Sequence, residues 1–265
     1  MGRIVRVVKN APNLLHGYNI YVNAEKLRLI DRTFNSVYPS ARSFADLGGV
    51  WNVNGAYAIY TLKKFPIDRG VIADTDYPDA VQERLSRYPR LDVLRGDFAT
   101  SELTEQVGHV DVAYFFDVLL HQANPDWDRV LTAYTNVASC FVIYNQQYIQ
   151  GQETIRLTDL PLERYIALAP KGREAFYRHV YAHRTEVHPS YRKPWIDIHN
   201  IFQWGITDKD LRSHMAGLGY EEVHYGNHGR FSNLTAFENH SFIFMRDDGG
   251  GDERLRLPKE SSSSA

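Results

Sequence analysis

The stretch SFADLGGVWNVNGAYAIYTLKKFPIDRGVIADTD, residues 43–76, decides the reading of the fold. SFADL is a short apolar run, as a buried strand requires, and a Gly- and Asn-rich turn follows it. GAYAIYTLKKF then reads as a helix. GVIADTD is a second apolar run that ends in acidic residues. Strand, turn, helix and strand in so short a span form a βαβ unit, and a βαβ unit requires parallel pairing.

The alternation continues downstream. PDAVQERLSRY reads as a helix with Pro78 in its first turn, LDVLRGD as a third strand and VDVAYFFDV as a fourth. PDWDRVLTAYTNVA is a helix opening on Pro125, and CFVIYN is a fifth strand. Apolar strands separated by amphipathic helices demand a sheet covered on both faces. Right-handed crossovers make it doubly wound. Upstream, NAEKLRLIDRTFNSV reads as a helix capped by Asn23, with Leu27, Ile30 and Phe34 on one face, broken at Tyr38-Pro39-Ser40. Past Asn145 the pattern gives way to helical stretches, aromatics and Pro breaks. It resumes at ITDKDLRSHMAGLGY, a helix with Thr207 as cap and Gly219 near its end. EEVHYG and HSFIFMR then form a closing strand pair.

The expected fold is therefore α/β: a doubly wound, mostly parallel seven-stranded sheet with a terminal antiparallel hairpin and a helical insertion after strand five. Its parts are a helical lead-in (1–42), an α/β core (43–145), an inserted lid over the sheet's carboxyl edge (146–205), a closing helix and hairpin (206–246) and a disordered tail (247–265).

Composition supports a soluble globular reading. The 265 residues are 43% hydrophobic and 23% charged, which excludes a collagen, a disulfide-rich mini-protein and a wholly disordered chain. Thirty basic against 32 acidic residues give a net charge of -2, so no global field draws the chain to nucleic acid or anionic lipid. The single cysteine, Cys140, has no intramolecular partner and fits a reducing compartment. No run is apolar enough to span a bilayer, and MGRIVRVVKNAPNLL lacks the core and cleavage site of a signal peptide. The expected location is the cytoplasm, with no membrane or nucleic-acid partner and with a homodimer left open.

The first turn, DLGGVWNVNG, places adjacent glycines at Gly48 and Gly49, where backbone can approach a ligand. It is not the G-x-G-x-x-G dinucleotide fingerprint, since the third glycine is missing and Trp51 is bulky. With Asp46 before those glycines, the chain resembles the class I S-adenosylmethionine-dependent methyltransferases over about 43–145 and the closing hairpin. It departs from them at Val50, where the family has a further glycine, and in a longer loop. The resemblance implies S-adenosylmethionine as cofactor, held by Asp46, Gly48 and Gly49. Asp74 would accept from both ribose hydroxyls, with Asp76 as competitor. Asp97 would read the adenine amino group, and Phe98 would lie along the ring. Acids after strands also serve simply as helix caps.

Methyl transfer is an in-line displacement that depends on orientation, and an alcohol acceptor needs a base or a metal. FDVLLHQ after strand four lacks the Asn/Asp-Pro-Pro-aromatic motif of amino-group and nucleic-acid methylating relatives. Asp117 and His121, four apart, are the catalytic candidates: His121 as base, Asp117 orienting it or contacting the donor's amino group. The plainer reading makes Asp117 a helix cap and His121 a surface or polar-contact residue. His199 is a second base candidate. Asp117 with Asn145, and Gln146 and Gln147 beyond it, also offers oxygen ligands for Mg²⁺, though with one carboxylate only. His179, His183 and His188 invite zinc, but no Cys or catalytic Glu accompanies them, and helix-surface histidines are the better reading; no metal residue is assigned.

The insertion interleaves basic residues such as Arg164, Arg178, Arg184 and Lys193 with aromatics such as Tyr165, Tyr177, Trp195 and Trp204. An acceptor pocket for a sugar or an aromatic alcohol could use them, as could the insertion's own small core. The expected activity is O-methylation of a small polar acceptor, a saccharide foremost, with a weaker resemblance to bacterial enzymes acting on methylmannose oligosaccharides. The alternatives are an NAD-linked oxidoreductase or epimerase, for which no Tyr-x-x-x-Lys pair is found, and a non-catalytic binding module.

Overall fold

The computed structural model describes residues 22–198 and 201–247. The first 21 residues, His199 and the tail expected to be disordered beyond Asp247 lie outside that range.

In chain order the elements are α1 (Ala24–Arg32), β1 (Ser43–Leu47), α2 (Ala56–Lys64), β2 (Arg69–Asp74), α3 (Asp79–Leu85), β3 (Leu91–Arg95), α4 (Ser101–Val107), β4 (Val110–Phe116), α5 (Trp127–Tyr134) and β5 (Ala138–Tyr148). There follow β6 (Ile155–Arg156), α6 (Leu162–Leu168), α7 (Glu174–Ala182), β7 (Trp204–Gly205), α8 (Asp208–Gly217), β8 (Tyr220–Arg230) and β9 (Phe237–Arg246). The main sheet has seven strands in the order β3-β2-β1-β4-β5-β9-β8. The pairs among β1 to β5 are parallel, and β9 runs antiparallel to both β5 and β8. The two short strands β6 and β7 pair separately.

Helices cover both faces, as the apolar strands require. On one face α1, α2 and α3 bury Ile30, Tyr57, Leu62 and Leu85 against Ile72, Tyr114 and Val142. On the other α4, α5 and α8 bury Val107, Leu131 and Met215 against Ala113, Phe115 and Phe141. Tyr165, Tyr177, Val180, Phe202 and Phe237 form a third core between the insertion and the end of the hairpin. Several of the insertion's aromatics are thus spent on packing.

Local signals act where expected. Asn23 accepts from the Lys26 N–H, and Thr207 from that of Asp210. Gly219 follows α8 at φ +82°. Pro78 sits one residue before α3, as its cap, and Pro125 lies two before α5. One helix, α4, is absent from the sequence reading. It is only seven residues long, with Thr100 accepting from Leu103 N–H as its start signal. β5 continues three residues past Asn145, because Tyr148 pairs with Phe237 and donates its N–H to Ile206 O (2.7 Å).

Phe115 is fully buried in β4, stacked on Phe141 and edge-on to Tyr134. Phe115→Ala removes that ring from the sheet's centre. It is expected to cost about 3–5 kcal/mol of unfolding free energy, read from urea denaturation.

Candidate active site

The sheet order reverses between β1 and β4, which pair with each other in parallel but lead to helices on opposite faces. At such a switch point the loops part and leave a crevice beyond the carboxyl ends of the strands. The glycine turn lines it. Gly48 has φ +74°, and a Cβ there would lie 2.6 Å from Val118 Cγ1, so only glycine fits. A Cβ on Gly49 would strike the Asp46 carboxylate at 2.4 Å. Asn52 and Asn54, at φ 58° and 53°, and Gly55, at φ +71°, carry the turn into α2 through left-handed backbone that Asn tolerates.

The three acids that end β1, β2 and the turn after β3 are used differently. Asp46 lies buried under the turn, with Oδ2 lacking a partner among the described residues. Burial pushes its carboxyl up to about 7, and the nearby Asp74 charge adds to this, while the Ala58 N–H and the Lys26 charge oppose it. Asp74 accepts from Val50 N–H (2.9 Å) and Trp51 N–H (3.1 Å) through Oδ2 and from Thr75 N–H (2.7 Å) through Oδ1. The carboxylate expected to hold a ribose therefore staples its own glycine turn in this conformation. Asp97 accepts from Ala99 N–H (3.0 Å), and the Lys193 ammonium of the insertion lies 3.9 Å from its Oδ2. The Phe98 ring is buried beside Gly48, with Cε1 3.6 Å from where a Cβ would stand.

Asp117 ends β4 in left-handed backbone, φ 57°, uncommon for a non-glycine residue. One carboxylate oxygen accepts from the Lys26 ammonium, the other from Gln146 Nε2 (2.6 Å), which also donates to Asn239 Oδ1 (3.0 Å). Lys26 comes from α1 and is only 1% exposed. Its Nζ lies 5.5, 5.8 and 5.0 Å from the ring centroids of Tyr57, Phe116 and Tyr144. Burial works against the ammonium, but Asp117, helped by Tyr57 and Asp46, outweighs it and holds the Lys26 pKa above its ordinary value. Breaking such a buried pair by removing one partner costs about 3–5 kcal/mol. The sequence reading missed Lys26 altogether.

The expected pairing of Asp117 with His121 is not formed. After the left-handed turn at Asp117, only a short 3-10 turn, Leu119–His121, follows, so the two residues do not share an α-helical face. Asp117 orients toward Lys26, while His121 turns to the insertion. His121 Nδ1 lies 2.7 Å from Ile201 O, and its ring stands edge-on to Phe202 at 5.4 Å. A carbonyl only accepts, so Nδ1 carries the hydrogen and the basic lone pair is on Nε2. The oxygen set imagined for Mg²⁺ does not fit either, because an ammonium already stands on Asp117. Among the described residues no group of three or more His, Cys, Asp or Glu is arranged to hold a metal. His179, His183 and His188 gather instead around Trp195, with ring centroids 4.9, 6.5 and 4.2 Å from it.

The insertion is tied to the loop after β4 by two hydrogen bonds, Gln203 N–H to Leu120 O (3.0 Å) and Trp204 Nε1–H to Gln122 O (2.7 Å), and within it Leu157 N–H donates to Gln203 O (2.7 Å). Along this seam several buried polar atoms find no partner among the described residues: Gln122 Oε1, Asn145 Oδ1, both amide atoms of Gln147, Thr158 Oγ1 and Gln203 Oε1. Leaving such groups unmet costs about 1–3 kcal/mol each, so the seam is built for polar company.

The fold is a Rossmann-like α/β sheet whose switch-point crevice is ringed by a glycine turn and four carboxylates. No protein-family model matches the sequence, and no curated protein matches it. Solved structures do. An O-methyltransferase family protein from Burkholderia thailandensis superposes with a TM-score of 0.52 at 14% identity, over 85% of this chain and 57% of that one. A 1,6-didemethyltoxoflavin-N1-methyltransferase from the same organism, solved with 1,6-didemethyltoxoflavin and S-adenosylhomocysteine, gives 0.55 at 11% identity, over 85% and 79%. The chain spans little more than half the length of the first. The likeness is one of fold, and it is the fold of methyltransferases.

Asp46 supplies a test of the buried turn. Between the ordinary carboxylate value of 3.8 and about 7 the folded chain holds a proton at Asp46 that the unfolded chain has lost. This contribution to stability therefore falls as pH rises through that window. Asp46→Asn is expected to match wild type near pH 4 and to exceed it at pH 8, on the order of a few kcal/mol, in urea denaturation at the two pH values.

Proposed function

We propose that the chain is an S-adenosylmethionine-dependent methyltransferase that methylates a hydroxyl of a small polar acceptor, most fittingly a saccharide. The observation that carries the reading is the ring of groups at the switch point: the left-handed Gly48, Asp74, Asp97 with Phe98, and Asp117 at the end of the central strand. These residues suit a nucleoside lying across the strand ends, with one condition. A carboxylate has about four lone-pair sites, and Asp74 already spends three on N–H donors, so the backbone at Val50 and Trp51 must release it to receive a ribose.

When bound, the cofactor supplies a methyl group on positively charged sulfur. The chain's part is to hold, orient and exclude water. Gly48 lets the left-handed turn pack directly on Val118 and Phe98, Asp97 and Phe98 take the base, and the insertion, tied to the loop after β4 through Gln203 and Trp204, covers the reacting side. His121 supports the choice of oxygen. Its Nε2 lone pair accepts the hydroxyl proton as the acceptor oxygen attacks, and the Ile201 carbonyl stabilises the resulting imidazolium at Nδ1. The unmet side-chain oxygens of Gln122, Asn145 and Gln203, which accept, and both amide atoms of Gln147, which donate and accept, support a neutral acceptor that forms hydrogen bonds of both kinds, as sugar hydroxyls do.

Calorimetric titration with S-adenosylmethionine and with NAD is the first experiment: binding of the former and none of the latter is expected, and the reverse would overturn the reading. Asp74→Ala is expected to weaken donor binding by about 10- to 100-fold and, because it leaves the N–H groups of Val50 and Trp51 without their acceptor, to lower the thermal midpoint as well. His121→Ala should bind donor as wild type does and lose about 10²–10⁴-fold in turnover of labelled methyl onto saccharides. Unchanged turnover would remove His121 as the base.

A further inference from the structure

The surroundings of Lys26 are those of a cation receptor. Three rings, Tyr57 from α2, Phe116 from β4 and Tyr144 from β5, present their π-electrons to its ammonium, and Asp117 closes the cage with a carboxylate. Rings around a desolvated cation are the arrangement by which proteins hold quaternary ammonium and other onium groups, whose charge is spread and weakly hydrated. A primary ammonium is a poorer match: it is strongly hydrated and offers three hydrogens, for which the cage provides one carboxylate.

Acceptor capacity also exceeds what Lys26 uses. Asp46 Oδ2 and Gln146 Oε1 are buried beside this centre without partners among the described residues. Asp46 lies near enough to bear on the Lys26 charge, and Gln146 is bonded to Asp117 itself. The receptor groups come from β4, β5 and α2, around the switch point where ligands of this fold bind. The occupant alone belongs to α1, at the end of a flexible four-carbon stem.

We propose that the Tyr57–Phe116–Tyr144–Asp117 cage is a seat for an organic cation, filled by Lys26 in the ligand-free chain. The cation that displaces Lys26 during function is the donor's sulfonium, a step that rests on the reading given under Proposed function. Two positive charges cannot share the seat, so entry of the donor drives the lysine out. The neutral product of transfer has no such claim on the cage, and the return of Lys26 favours its release.

The test uses Lys26→Ala, which vacates the seat, and Lys26→Met, which fills it without charge. Tetramethylammonium is expected to raise the thermal midpoint of Lys26→Ala by several degrees, and equimolar tert-butanol not to. Lys26→Met and wild type should respond to neither. Equal effects of the two probes on Lys26→Ala, or none, would overturn the proposal; if that variant does not fold, Lys26→Ser, which also vacates the seat, takes its place in the same comparison. In calorimetry, Lys26→Ala should favour S-adenosylmethionine over S-adenosylhomocysteine by about 10-fold more than wild type does. Equal weakening of both ligands would make Lys26 a direct donor contact and overturn its role as occupant. If wild type binds neither ligand while tetramethylammonium still stabilises Lys26→Ala, the methyltransferase reading fails and the cation seat stands.

Discussion

A buried ammonium facing a buried carboxylate joins α1 to the central strand of the sheet. Neither charge is tolerable there alone, since several kcal/mol separate a desolvated ion from a paired one. The pair therefore fixes more than two side chains. It holds α1 over the switch point, aims Asp117 away from His121, and recruits Gln146 and through it Asn239 of the antiparallel strand. Strands β4, β5 and β9 thus meet in one polar cluster at their ends. The hydrophobic faces determine that a sheet forms; this cluster determines what its carboxyl edge presents.

The sheet was legible because its strands are continuous apolar runs and its helices open and close on recognisable residues. The span from Ser43 to Asp74 contains strand, turn, helix and strand, and the structure has all four. What escaped was local and short. Helix α4 has seven residues, too few to display a clear period, and only the Thr100 cap betrays it. The spacing of Asp117 and His121 suggested one helical face, yet spacing carries no information on the single left-handed residue that breaks the helix before it starts. Lys26 was illegible for a different reason. On an amphipathic helix a lysine between Glu25 and Leu27 reads as a solvated charge, and only a tertiary carboxylate contributed from the end of β4 makes its burial tolerable.

The carboxylates of the crevice show the same limit. Their order along the chain marks where they stand, and the structure places Asp46, Asp74 and Asp97 around one turn. Order does not say what each one holds. Asp46 is pressed under Gly49 with its carboxyl shifted to about 7, Asp74 grips the N–H groups of Val50 and Trp51, and Asp97 turns back on Ala99. Unbound carboxylates near a crevice find local donors, because leaving them bare is costly.

Asp74 and Asp117, at the ends of β2 and β4, are thus both satisfied from within: Asp74 by the glycine turn, Asp117 by Lys26. Self-satisfaction has a thermodynamic consequence. A ligand that replaces an internal partner gains only the difference between the two interactions, so affinity is moderated while selectivity is sharpened. Under the proposed function, a ribose offers Asp74 two hydroxyls in exchange for two N–H groups. Asp117 exchanges one cation for another. Only a molecule carrying both a ribose and an organic cation, at the separation that the turn and β4 impose, repays both exchanges at once. A neutral nucleoside repays the first alone and leaves Lys26 seated. On the proposed reading, discrimination between donor and spent product resides in the sheet's own charge pairs, and the exposed Trp51, whose N–H donates to Asp74, stands at the turn that the proposed first exchange would open.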